Sequence, residues 1–138
     1  MSARDDVLAV VRQWVEKAEN DLANAAHTLK MGKNCPTDTV CFHAQQCVEK
    51  YMKALLVSKQ TNFPKTHDIA VLVALLPPFM RPDITAEDQE RVTRYATVSR
   101  YPGDYEAIPL TEARQAVKLA RNVRQAARAI LSPGLFGE

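Results

Sequence analysis

The sequence predicts an all-α fold, an up-and-down bundle of four long helices with a short fifth. Three observations carry it. Only four of 138 residues are glycine, about 3% against a usual 7%, while 19 are alanine, the residue that enters a helix most readily. Apolar residues recur at spacings of three and four over long stretches, the period of one helix face. No stretch alternates polar and apolar residues for long enough to support a sheet.

Each element has its own signals. Val7, Val11, Trp14, Ala18, Leu22, Ala25 and Leu29 form one stripe of a helix over roughly 5–31, which Gly32 and Asn34 end. Behind Pro36 a second helix begins near Thr37 and runs to about Lys59, burying Val40, Ala44, Cys47 or Val48, Tyr51 and Leu55. The two should form an antiparallel hairpin. The polar, proline-containing stretch 60–67 reads as a loop into a short helix over 68–76, stopped by Pro77 and Pro78. Thr85 and Asp88 resemble a capping box, opening a helix expected to reach about Arg100 before Pro102 and Gly103 end it. Thr111 is expected to cap the last helix, which reaches Leu131 with Ala113, Val117, Ala120, Val123, Ala127 and Ile130 inward. No repeat, linker or low-complexity tract divides the chain, so residues 1–138 are expected to form a single domain.

Composition narrows the function. An apolar content of 46% with 25% charged residues is that of an ordinary globular protein and excludes intrinsic disorder. A net charge of +2 does not by itself imply nucleic-acid binding, so such a claim must rest on local charge. Cys35, Cys41 and Cys47 are odd in number and lack a C-x-x-C pair, which fits a reduced compartment rather than a disulfide framework. Acidic residues near the N-terminus argue against a signal peptide, and no run approaches the 18 apolar residues of a membrane span. A cytoplasmic protein without membrane contact is the expectation.

The stretches CFHAQQCVEKYMKALLV at 41–57, FPKTHDI at 63–69 and SRYPGDY at 99–105, with Asp21-Leu22 in the first helix, resemble in kind and order the HEPN domain family. The resemblance covers roughly residues 12–131. It implies a helical bundle that forms homodimers, acts in prokaryotic defence and toxin-antitoxin modules, and often pairs with a minimal nucleotidyltransferase. Many members are metal-independent ribonucleases marked by R-x4-6-H, with arginine and histidine meeting across the dimer cleft. Arg100 stands at the matching place, but Tyr105 occupies the position where R-x4-H puts its histidine, and no arginine here has a histidine four to seven residues downstream.

That departure weakens an enzymatic reading. Attack by a ribose 2'-hydroxyl needs a group with pKa near 7 to move protons and a cation to stabilise the phosphorane. Arginine supplies the cation, but tyrosine, with a pKa near 10, is a poor base. His43 or His67, brought close in space, could substitute. The chain therefore leans toward a dimeric nucleotide- or RNA-binding and interaction module that partners a nucleotidyltransferase. The alternatives are a ribonuclease toxin using Arg100 with Tyr105 or a displaced histidine, and a purely structural dimerisation bundle.

The nucleotide- or RNA-binding candidates are Arg100, Tyr101, Asp104, Tyr105, His43 and His67. Arg100 suits a phosphate but also suits the end of a helix, where a cation meets the dipole. Tyr101 and Tyr105 can stack on a base or pack on the bundle, and Asp104 can orient Arg100 or form the turn. His43 and Cys47, at i and i+4, have metal-ligand spacing, yet no second pair completes a site, so neither metal nor cofactor is expected. His67 and Asp68 read as loop-fixing or capping residues, and Glu49 with Lys53 as an ion pair along the helix. In the last helix Arg114, Lys118, Arg121 and Arg128 fall at helical spacing and are candidate phosphate or partner contacts. A solvated helix face explains the same pattern.

Overall fold

The structure, a computed structural model, describes residues 3–97 and 107–131. All regular structure among these residues is helical: α1 (Ala3–Leu29), α2 (Thr37–Ser58), α3 (Ile69–Leu75), α4 (Ala86–Arg94) and α5 (Leu110–Leu131), with short 3-10 turns at Gly32–Asn34 and Pro78–Met80. Side-chain ties fix the directions. Asp21 and Glu19 of α1 meet Lys50 and Tyr51 of α2, and Lys59 at the far end of α2 shares a hollow with Leu8 and Val11, so the pair is antiparallel. Glu19 also meets Arg124, while Leu8 approaches Ile130 and Leu131, which makes α5 antiparallel to α1. Tyr95, just past the end of α4, reaches Glu112 near the start of α5, and Asp88 in the first turn of α4 shares a hollow with Asn122 further along α5, so these two also run in opposite directions. The bundle is up-and-down, with α3 as a short step between α2 and α4.

The core follows the stripes. Val11, Ala18 and Ala25 of α1, Val40, Ala44, Cys47, Tyr51 and Leu55 of α2, and Ala113, Val117, Ala120, Val123 and Ala127 of α5 are buried, and Val7, Trp14, Leu22, Leu29 and Ile130 pack partly buried around them. The central α2 also buries Met52, Leu56, Gln45, Glu49 and Lys53, because helices cover more than one of its faces. Small residues on α1 and α5 let their backbones come close to it.

Two boundaries differ from the sequence expectation. The α4 helix is nine residues long and does not run on regularly to Arg100: Tyr95, Ala96 and Thr97 each bond three residues back, which tightens the last turn into 3-10 geometry. Residues 98–106 lie outside the described residues. The last helix opens at Leu110, one residue before the expected Thr111 cap, with the Pro109 carbonyl accepting from Glu112 and Ala113. The Thr85 cap is as expected, its hydroxyl accepting from the Asp88 amide at 3.1 Å. Gly32 follows α1 with φ +67°, a left-handed turn conformation that glycine adopts without a Cβ clash.

Candidate functional site

The polar residues of the α2 motif point into the bundle rather than out of it. Glu49, 3% exposed, accepts from Lys53 at 2.9 Å, from Gln45 at 3.0 Å and from the His67 ring at 2.7 Å. Burial pushes its carboxyl up, but the bonds from Lys53, Gln45 and His67 outweigh that and hold it below the ordinary range. The ammonium of Lys53 lies 5.5 Å from the Trp14 ring centre and 5.8 Å from that of Phe63. Two aromatic faces thus help to stabilise a nearly buried cation. Phe63 meets Trp14 edge-on, so the loop after α2 is pinned at Phe63 and again at His67.

The T-H-D turn closes this clasp. The His67 carbonyl accepts from Gln45 at 3.3 Å, and the Thr66 hydroxyl accepts from the Asp68 amide at 3.0 Å. Asp68 then caps α3, accepting from the Ala70 and Val71 amides. The His67 side chain remains 55% exposed on its outer side.

A second cluster joins α1 to α2. Asp21 accepts from the Nδ1 of His43 at 2.9 Å and from Lys50 at 2.6 Å, one oxygen for each. Since a carboxylate only accepts, the imidazole donates from Nδ1. Beside it, Glu19 receives the Tyr51 hydroxyl at 2.7 Å and Arg124 on both oxygens at 2.8 and 2.9 Å, with Arg128 at 3.7 Å. Burial raises the Glu19 carboxyl, and the bonds from Arg124 and Tyr51 more than reverse the effect. Glu19 and Arg124 are separated by 105 positions, and no local pattern could have joined them. The hint was that Arg124 lies between the core positions Ala120, Val123 and Ala127, off the stripe of the other cations.

Of the sequence-derived candidates, Arg100, Tyr101, Asp104 and Tyr105 lie outside the described residues. His43 and His67 are not brought together: one joins Asp21 and the other Glu49. Arg128 sits against Glu19. Arg114, Lys118 and Arg121 are exposed on α5, with no hydrogen bond or ion pair to any other described residue. Cys47 is fully buried, and burial, with Glu19 and Asp21 nearby, drives its thiol well above the ordinary range. It is poorly suited to ligate a metal as thiolate. Among the described residues no three His, Cys, Asp or Glu side chains are grouped to hold a metal ion, and no helix is long and apolar enough to cross a membrane.

Between α4 and α5 a hollow opens, floored by Val92, Ala116 and Leu119 and rimmed by polar side chains of both helices. A second hollow adjoins it at Arg91, Tyr95 and Glu112 and extends to Ala107, Ile108 and Pro109. It reaches the chain that resumes after the segment carrying Arg100.

A model of the HEPN domain matches residues 11–130. Among solved structures, TT1696 from Thermus thermophilus is 27% identical, with 86% of this chain and 96% of that one covered and a TM-score of 0.70. ST0689, described as an archaeal HEPN homologue, shares the fold at 23% identity, with 88% and 98% covered and a TM-score of 0.67. No curated protein matches the sequence. With the family match running from the first turns of α1 to the end of α5, and with the Gln45, Glu49, Lys53 and T-H-D residues forming one clasp, the chain belongs to the HEPN domain family.

Proposed function

We propose that this HEPN protein is a dimeric nucleotide- or RNA-binding and interaction module, and that it partners a nucleotidyltransferase in a toxin-antitoxin or defence-type system. The observation that carries the binding part is the outer face of α5. Arg114, Lys118 and Arg121 present three exposed cations there that form no ion pair with any described residue, whereas Arg124 and Arg128 are drawn to Glu19. Cations that are not neutralised within the fold are available to phosphates. The same helix begins just after the segment that holds Arg100, so a bound strand could run from that segment along α5. The absence of a histidine at the Arg100 motif supports binding over cleavage.

The test is the salt dependence of single-stranded RNA binding by the wild type and by Arg114→Ala/Arg121→Ala. Each lost phosphate contact lowers the log–log slope by about 0.7, so the double variant should lose about 1.4. An unchanged slope removes α5 from the interface. Co-purification with a neighbouring nucleotidyltransferase tests the partner, and failure of the pair to associate would remove that part of the reading.

One observation favours the ribonuclease reading. Asp21 engages Nδ1 of the His43 ring and thereby orients it, Nε2 has no partner among the described residues, and the side chain is 27% exposed. If the wild type cleaves RNA without metal, and both Arg100→Ala and His43→Ala abolish cleavage, that reading replaces the binding module.

A further inference from the structure

Helix α5 begins just after the segment that carries Arg100 and ends, about 30 Å away, at Ile130 and Leu131. That far end of the bundle holds an aromatic ring in solvent. Phe79, at 77%, is the most exposed of the large apolar side chains among the described residues. The turn that carries it is braced on both sides. Pro77 and Pro78 restrict the backbone, the Pro77 carbonyl accepts from the Met80 amide at 2.9 Å, and the buried Met80 side chain anchors the turn. The Arg81 guanidinium donates to the carbonyls of Leu76 at 2.9 Å and Ala74 at 3.4 Å, which ties the turn back to the end of α3. A ring held by such a scaffold loses little freedom when a partner covers it.

Beside Phe79 lies a hollow of about 300 Å³ with an apolar lining that includes Leu8, Met80, Ile130 and Leu131, and with Ser58 and Lys59 as its polar members. A cavity of roughly 150 Å³ with such a lining takes up benzene, so there is room for one large apolar side chain. Lys59 is the one charged residue of the lining, which holds no carboxylate. Its ammonium lies 5.7 Å from the centre of the Phe79 ring and forms no hydrogen bond or ion pair with any described residue. The Ser58 hydroxyl donates to the Leu55 carbonyl at 2.6 Å. Arg81 has its two carbonyls but no ion pair among the described residues. Of the carboxylates close by in the chain, Asp83 lines a different hollow with Asn122 and Val123, and Asp5, one turn before Leu8, has a partner of its own. Asp6, two positions from Leu8, falls on another face of α1. An apolar socket and two cations without a counter-charge therefore stand together at this end.

We propose that Phe79, the hollow beside it and Lys59 form a docking surface for an acidic, apolar segment of a partner protein. One aliphatic or aromatic side chain of the segment fills the hollow against Leu8, Met80 and Leu131, the next part of the segment covers the outer face of Phe79, and a carboxylate meets Lys59. Charge complementarity sets the kind of partner: an ammonium with a ring beside it and no counter-ion is stabilised by a carboxylate, whereas a basic segment is repelled. The exposed ring sets its size. A small amphiphile in the hollow leaves Phe79 in water, while a protein segment covers both, and aromatic anchors beside a pocket carry much of the energy of protein interfaces. The aliphatic lining suits a side chain better than a nucleobase, whose polar edge it would leave unpaired. The surface is separate from the cations of α5 and goes beyond the nucleotide- or RNA-binding reading, on which it does not rest.

The experiment selects peptides of about twelve residues from a random display library on the full chain, with counter-selection on Phe79→Ser, and measures the enriched peptides by fluorescence anisotropy. Phe79 and Lys59 are exposed, so Phe79→Ser and Lys59→Glu should keep the wild-type circular dichroism. Enriched peptides are expected to carry Leu, Ile, Phe or Trp close to Asp or Glu, and to bind the wild type about tenfold more tightly than either variant. Selection on Lys59→Glu should turn the preference to Lys and Arg. No enrichment over Phe79→Ser, enriched peptides without acidic residues, or affinity unchanged by Lys59→Glu overturns the surface. Other occupants are read in parallel, and each overturns the proposal. The sequence past Leu131 holds Leu135, Phe136 and Glu138, so peptides bound about tenfold more tightly by Phe136→Ser than by the wild type would give the hollow to residues 135–138. Association with rising concentration that Phe79→Ser abolishes would give it to a second copy, and decanoate bound as tightly as the best peptide to a small amphiphile. Phe79→Ser should leave RNA retardation unchanged, and a loss there would give the ring to RNA.

Discussion

Glu49 is an anion held almost out of water by two side chains of its own helix and one from the following loop. Removing its cation should be costly, because a buried charge without a partner keeps its desolvation penalty. Lys53→Met is therefore expected to lose about 3 kcal/mol in urea unfolding at pH 7. The carboxyls of Glu49 and Glu19 both lie below their ordinary 4.5 in the folded chain. A depressed carboxylate stabilises the fold above the unfolded pKa and ceases to do so as pH falls through the folded one. The melting temperature should thus fall as pH drops below about 4.5, and Glu49→Gln, less stable at pH 7, should show a shallower acid decline. An acid decline identical to that of the wild type would contradict the role given to Glu49. Part of this was legible in the sequence: the i, i+4 spacing of Glu49 and Lys53 announces an ion pair. The His67 ring on Glu49 was not, since the two are 18 positions apart and only the path of the loop joins them.

At the scale of elements, helix ends record where local chemistry decides and where it yields. Gln60 follows α2 with φ +53°, while the Gln60 amide bonds Val57 and the Thr61 amide bonds Leu56, each at 2.9 Å. This is a Schellman ending with glutamine at the left-handed position where glycine is usual. Gln60→Gly should raise stability by about 0.5–1 kcal/mol, measurable by chemical denaturation. Asp68→Ala, which removes the side-chain cap of α3 and leaves the backbone amide that Thr66 accepts from, should cost about 1 kcal/mol by the same measurement. The stripes of α1, α2 and α5 were readable because a long amphipathic helix repeats its signal over many turns. The length of α4 was not, because its nine residues carry few apolar positions and its ending is a switch to 3-10 bonding rather than a glycine or proline stop.

The whole molecule is a bundle with neutralised charge inside and a basic outer face on α5. The family could be named from the order of its motifs, and the match over residues 11–130 shows it. Function was less legible, because the residues that decide it are exposed ones whose chemistry depends on what approaches them, and no periodicity reports a partner. Lys59 and Phe79 illustrate this. Along the sequence they are a lysine at a helix end and a phenylalanine among prolines, and only the packing of the bundle brings them to one hollow. The central claim is that this chain binds RNA through cations and leaves it intact. The measurement that tests it most directly is native and denaturing electrophoresis of one end-labelled single-stranded RNA, incubated without metal with wild type, Arg114→Ala/Arg121→Ala and Arg100→Ala. Retarded RNA of full length with the wild type, and markedly less retardation with the double variant, is the predicted result; shortened RNA with the wild type that Arg100→Ala does not produce would contradict it.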